Sequence, residues 1–180
     1  MKNMKYVTLI IALAFIIGAC GSNPSTTKAM DRDDTMMKSE ATAYNLNLND
    51  INGGTHTLGE YKGKKVYIKY WASWCSICLG GMDEFNELVK SKEGSEDVVI
   101  LSMVAPGAFG EKKSGEFIQW YKERGYSFPV LLDEGGTLGR EFGVRAFPTS
   151  IYLNSDGVLT SASPGHSSNE SIEAKLAAIK

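Results

Sequence analysis

Tyr70-Trp71-Ala72-Ser73-Trp74-Cys75-Ser76-Ile77-Cys78 is the stretch on which the reading of this chain turns. Lys65 to Trp71 is a β-rich run ending just before two cysteines separated by two residues. The residues after the pair carry Met82, Phe85 and Val89 at helical spacing, so the second cysteine should lie in the first turn of a helix. That placement lets the two sulfurs close a small disulfide ring. The first cysteine then sits at the helix N-terminus, where unpaired N–H groups and the dipole favour a thiolate. A thiolate attacks a partner disulfide, and a second thiol resolves the mixed disulfide. Cys75 is assigned as nucleophile and Cys78 as resolving cysteine, with Cys75 the more exposed. The pair alone leaves other uses open. Half of a zinc site has the same spacing, but no second pair exists, and His56 and His166 lie far off in turn-like segments. A structural disulfide across so short a loop would stabilise little. The strand before the pair, the helix after it and Trp74 beside it favour redox use.

Outward from the pair, strands and helices alternate. Tyr44 to Leu48 alternates at period two, and Gly53-Gly54 turns it toward Thr55–Leu58, which reads as a β-hairpin. Val98 to Val104 is nearly all apolar, as a strand covered on both faces should be. Ser114 can cap a helix carrying Phe117, Trp120 and Tyr121, with Gly125 as its stop. Phe128 to Leu132 reads as a strand and Thr137 to Phe142 as a short helix. Ser150–Leu153 and Val158–Thr160 flank Asn154-Ser155-Asp156-Gly157, a hairpin turn. Ser167 with Glu170 makes a capping box for a last helix striped by Ile172, Leu176 and Ile179. The order implies an α/β fold, a mixed sheet with helices on both faces.

Three stretches together resemble the thioredoxin superfamily, and within it the TlpA-like and ResA-like extracytoplasmic thiol–disulfide oxidoreductases. They are Tyr61-Lys62-Gly63-Lys64-Lys65, the Tyr70–Cys78 stretch, and Gly143-Val144-Arg145-Ala146-Phe147-Pro148-Thr149 with Asn154–Gly157 behind it. The resemblance covers roughly residues 44–180. It implies a thioredoxin-like sheet with an N-terminal hairpin and one inserted helix, between the strand ending at Val104 and that at Phe128. It implies a cis bond from Phe147 to Pro148 facing the cysteines, with Trp74, Ser76, Ile77 and Phe147 helping to hold an extended partner.

The chain departs from that family twice. Lys69 stands six residues before Cys75, where thioredoxins carry a buried carboxylate. Near the pair its charge would lower thiol pKa values and stabilise the reduced form; the other reading is an ammonium that snorkels to solvent. Gly81 falls near the place of the acidic residue of some ResA-like proteins, and Gly80-Gly81 costs about 1 kcal/mol per residue in helix propensity. These glycines either admit a partner closely or only loosen the turn.

The N-terminus reads as targeting sequence. Lys2 and Lys5 precede an uncharged apolar run, Val7–Ile17, too short for a comfortable membrane span. Ile17-Gly18-Ala19-Cys20 resembles a bacterial lipobox. It divides the chain into a signal peptide (1–19), a lipid anchor on Cys20 with a flexible tether (20–43), and one domain (44–180). The 180 residues carry 19 basic and 21 acidic side chains, so nothing in the charge balance points to nucleic acid.

The expectation is a membrane-anchored reductase of exported proteins at the outer face of the cytoplasmic membrane, monomeric, with the Cys75–Cys78 disulfide as its redox group, no other cofactor and no metal. The family makes a membrane thiol transporter of the CcdA or DsbD type the electron donor. An exported methionine sulfoxide reductase is the preferred client and apocytochrome c the second. A disulfide-forming oxidase and a metal-delivery lipoprotein are the alternatives. The latter uses two cysteines with three residues between them plus a histidine ligand; here only two residues separate Cys75 from Cys78, and neither His56 nor His166 is placed by sequence to supply the histidine.

Overall fold

The computed structural model describes residues 47–180. The signal peptide, the anchor and tether with Cys20, and Tyr44–Leu46 lie outside these residues. The hairpin consists of β1 (Asn47–Asn49) and β2 (Thr55–Thr57), antiparallel with Asn47 opposite Thr57. Its turn is organised by Asp50, whose Oδ1 accepts the N–H groups of Asn52 at 2.8 Å and Gly54 at 2.9 Å. His56 pegs this corner, with Nε2 3.2 Å from Asp50 Oδ2 and Nδ1 2.5 Å from the Tyr61 hydroxyl. Burial alone would raise the Asp50 carboxyl. Its hydrogen bonds with His56, Asn52 and Gly54 outweigh that and hold it below the usual range. The hairpin is tied to the main sheet by Ile51 N–H on the Val130 carbonyl at 3.0 Å.

The main sheet has five strands, β3 (Lys65–Tyr70), β4 (Val98–Val104), β5 (Val130–Leu132), β6 (Thr149–Leu153) and β7 (Leu159–Pro164), in the order β5-β4-β3-β6-β7. The first three run parallel, and β6 and β7 run antiparallel to their neighbours. Central β3 is buried on both faces from Val66 to Tyr70, which is why it reads as an unbroken run. Among the described residues there are five α-helices: α1 (Ser76–Gly80), α2 (Met82–Ser91), α3 (Ser114–Lys122), α4 (Thr137–Glu141) and α5 (Asn169–Ala178). Phe85 of α2, Phe117 of α3 and Ile172 of α5 pack with Tyr67 and Trp71 on one face. Leu138 of α4 packs with Ile68 and Tyr70 on the other. The fold is the expected mixed sheet with helices on both faces, and α3 is the inserted helix of the β4-to-β5 crossover.

Several local expectations shift. Ser114 is the first residue of α3, not its cap; Lys113 is the cap, and the Ser114 hydroxyl is drawn to Glu134 instead. The cap of α5 is Ser168, whose Oγ accepts Ser171 N–H at 3.3 Å, while Ser167 takes a hydrogen bond from Ser150 in the sheet. Strand β5 begins at Val130 because the Phe128 carbonyl accepts from the Tyr121 hydroxyl at 2.6 Å and Pro129 has no N–H. Strand β7 runs on to Pro164, well past Thr160. The helix after the cysteines is two helices, broken at Gly81. The Asn154–Gly157 turn forms as expected, with Asn154 Oδ1 accepting the N–H groups of Asp156 at 3.0 Å and Val158 at 2.9 Å.

Candidate active site

The chain leaves β3 at Tyr70, crosses Trp71–Trp74 and enters α1 at Cys75. Cys75 caps that helix in extended conformation, and its Sγ accepts the Cys78 N–H at 3.2 Å. The two cysteines form a disulfide with Cα atoms 5.2 Å apart. Cys75 is 6% exposed and Cys78 0%, so both are buried and Cys75 is the outer one. In contrast, Trp74 at 53% and Ile77 at 62% are the exposed large hydrophobic residues of the described chain. Ser76 lies between them at the surface.

The segment before β6 closes the other side. The Phe147–Pro148 peptide is cis. The Pro148 carbonyl accepts Gly165 N–H at 2.8 Å, and Thr149 Oγ1 donates to the Ala146 carbonyl at 2.7 Å. Among the described residues the Phe147 backbone makes no hydrogen bond. Its ring meets Trp74 at 5.4 Å between centroids, bringing the proline segment against the cysteine segment. Trp74, Ser76, Ile77, Phe147 and the two cysteines thus surround one end of the sheet.

Lys69 lies beneath this end. It projects from β3 on the side of Tyr67 and Trp71, between Ser102 of β4 and Ser150 of β6. It does not snorkel. The residue is 4% exposed, and its ammonium donates to the Gly81 carbonyl at 3.2 Å and stands 4.8 Å over the Phe85 ring. Helix α2 covers it and closes the way to solvent. No carboxylate of the described residues pairs with it. Burial pushes the ammonium down to about 8, and the more distant Glu84 pulls only weakly the other way.

Gly81 answers the question its pair of glycines raised. A Cβ there would stand 2.6 Å from His166 Cε1 and 3.6 Å from Lys69 Nζ. The helix break is glycine because His166 is seated on it. That residue, remote in sequence, folds against the break and the start of α2, with Nε2 3.3 Å from Glu84 Oε2. Gly80, by comparison, faces open space.

Three further residues of the site, Phe109, Glu111 and Lys112, gave no sequence signal. Glu111 is 7% exposed and accepts the Ser73 N–H at 2.5 Å and its hydroxyl at 2.6 Å, two residues before Cys75. Lys112 completes the clamp, its N–H on Glu111 Oε1 and its ammonium on Ser73 Oγ. Phe109 accepts the Trp74 indole N–H on its carbonyl at 3.2 Å. All three lie on the β4–α3 connection, where Pro106, Gly107 and Gly110 read only as loop. Among the described residues no group of three or more His, Cys, Asp or Glu could hold a metal ion, and no helix is long and apolar enough to cross a membrane.

This geometry is a dithiol–disulfide centre beside an exposed apolar rim, and comparison with known proteins agrees with it. The family described as Redoxin matches residues 28–178. An uncharacterized protein of Haemophilus influenzae is 42% identical over 71% of this chain and 81% of its own. The thiol-disulfide oxidoreductase ResA of Bacillus thuringiensis is 27% identical over 99% of both chains. The solved structure of an exposed lipoprotein thioredoxin, Etrx1 of Streptococcus pneumoniae, is 40% identical with a TM-score of 0.69, covering 72% of this chain and 96% of that one.

Proposed function

We propose, since the chain belongs to the Redoxin family and is a thiol–disulfide oxidoreductase of the ResA and thioredoxin type, that it reduces disulfides of exported proteins from the outer face of the cytoplasmic membrane. The observation that carries this reading is the pairing of a nearly covered disulfide with two exposed apolar side chains, Trp74 and Ile77. Exposed apolar surface of this kind receives another protein.

In the reduced enzyme the Cys75 thiolate attacks one sulfur of the partner's disulfide. A Cys75–partner bond forms, and the partner's other sulfur leaves as a thiolate and takes a proton from water. Cys78 then gives up its proton and attacks Cys75. The Cys75–Cys78 bond forms, the mixed disulfide breaks, and the partner leaves with both thiols. Two electrons pass from enzyme to partner. The Cys78 N–H directed at Cys75 Sγ stabilises the thiolate that starts the cycle. The unpaired backbone of Phe147 offers a donor and an acceptor to an extended partner segment. A membrane thiol transporter of the CcdA or DsbD type restores the dithiol, and an exported methionine sulfoxide reductase is the favoured client.

Lipid on Cys20 holds the enzyme in place. The pneumococcal relative's own description as an exposed lipoprotein supports this. Cys20→Ala in the full chain should move the protein from the membrane fraction to the soluble fraction, since no other acylated residue would remain. Membrane retention of that variant would overturn the anchoring.

A further inference from the structure

Among the described residues other than glycine, Phe109 alone has a positive φ, at 50°. A side chain with a Cβ is held in this left-handed region at an energetic cost, and such outliers collect at binding sites. Three features hold it there. Gly136 leaves room for the ring, because a Cβ at that position would stand 2.6 Å from Phe109 Cε2. Arg140 places its guanidinium 5.9 Å over the ring. Glu111, two residues on, is clamped to Ser73.

The result is a precise arrangement next to the disulfide. The Phe109 ring meets Phe147 at 5.7 Å and Tyr70 at 6.5 Å, both edge-on. Phe147 in turn meets Trp74 at 5.4 Å. The Phe109 carbonyl fixes the Trp74 indole through its N–H. Gly110, whose φ of 78° favours glycine, lies against that indole. Phe109 is itself partly exposed.

We propose that Phe109 is a specificity-determining residue, whose ring joins Trp74 and Phe147 in an aromatic wall that receives an apolar side chain beside the partner's reacting cysteine. This rests on the reading that the partner is a protein disulfide. A polar or charged neighbour would lose its water against this wall without gaining a hydrogen bond, so the wall discriminates by sequence next to the cysteine.

The test uses two synthetic peptide disulfides, alike except that leucine or serine precedes the reacting cysteine. Wild-type enzyme should favour the leucine peptide. Phe109→Gly keeps the backbone conformation and removes the ring; its KM for the leucine peptide should rise about tenfold while the serine peptide changes less than about twofold. The reduction potential should not move. Phe109→Tyr, which restores the ring, should restore the preference. Phe109→Asn, which also accepts a left-handed backbone, replaces the glycine variant if that fails to fold. An equal loss on both peptides, or no loss on either, overturns the specificity role. Wild-type enzyme that reduces neither peptide would instead overturn the reductase reading on which it rests.

Discussion

Cys75→Ser is expected to lose disulfide reductase activity on insulin by on the order of a thousandfold or more, down to the background of uncatalysed exchange. A serine hydroxyl at neutral pH has almost no alkoxide to offer, and Cys78, the other cysteine among the described residues, is 0% exposed and poorly placed to begin the reaction. Cys78→Ser has a different signature. The Cys75 thiolate still attacks, but nothing resolves the product, so the protein accumulates as mixed disulfides with its partners. Non-reducing electrophoresis of the full chain from cells reads this directly, and the trapped partners should include exported proteins. Retained turnover in Cys75→Ser, or free Cys78→Ser protein with no adducts, would contradict the assigned roles.

Lys69→Met is expected to give the second large effect. A charged ammonium that is 4% exposed and lacks a carboxylate partner destabilises the oxidised fold. Methionine of similar length should stabilise the oxidised protein at pH 7 by about 2–3 kcal/mol. The pH dependence follows from the direction of the shift. The folded-state value of about 8 lies below the ordinary 10.5, so between these values the unfolded chain binds more protons than the folded one. Wild-type stability, referred to Lys69→Met, should therefore rise as pH increases from about 8 to 10.5 and be lowest below 8. Denaturant titrations of both proteins across that window test it; a flat difference would contradict the buried, depressed lysine. A positive charge held on the Gly81 carbonyl, at the end of the helix that carries the pair, is expected to favour a thiolate in the reduced protein. The substitution therefore favours the oxidised form, and the variant should be more reducing by about 30 mV, with Cys75 thiolate formation moved to higher pH.

The redox centre was legible because its chemistry is local. Two cysteines at this spacing, between a buried strand and a helix, constrain one another over a few residues. The alternation of β and α patterns was legible for a similar reason, since burial on both faces marks β3 from Val66 to Tyr70 and β4 from Ile100 to Val104. What escaped depends on contacts between distant segments. Gly81 is explained only by His166, which is 85 positions away and carries no pattern of its own. The Glu111 carboxylate is matched to Ser73 across 38 positions. Ser114 and Ser167 both had the right residue type for a cap, but each was claimed by a tertiary partner that competes for the same hydroxyl. For Lys69 the sequence leaves open a charge near the pair or an ammonium that snorkels, because the outcome turns on whether α2 lies over it, which local sequence does not decide.

As a reductase, the protein must donate electrons from the Cys75–Cys78 pair to partner disulfides. The pair's reduction potential, measured on the described domain by equilibration with glutathione or dithiothreitol, tests this most directly. The expected value is nearer to thioredoxin, about −270 mV, than to the oxidant DsbA at about −120 mV. A value near −120 mV would mean that the reduced form is strongly stabilised, that Lys69 dominates the site, and that the protein forms disulfides instead of reducing them.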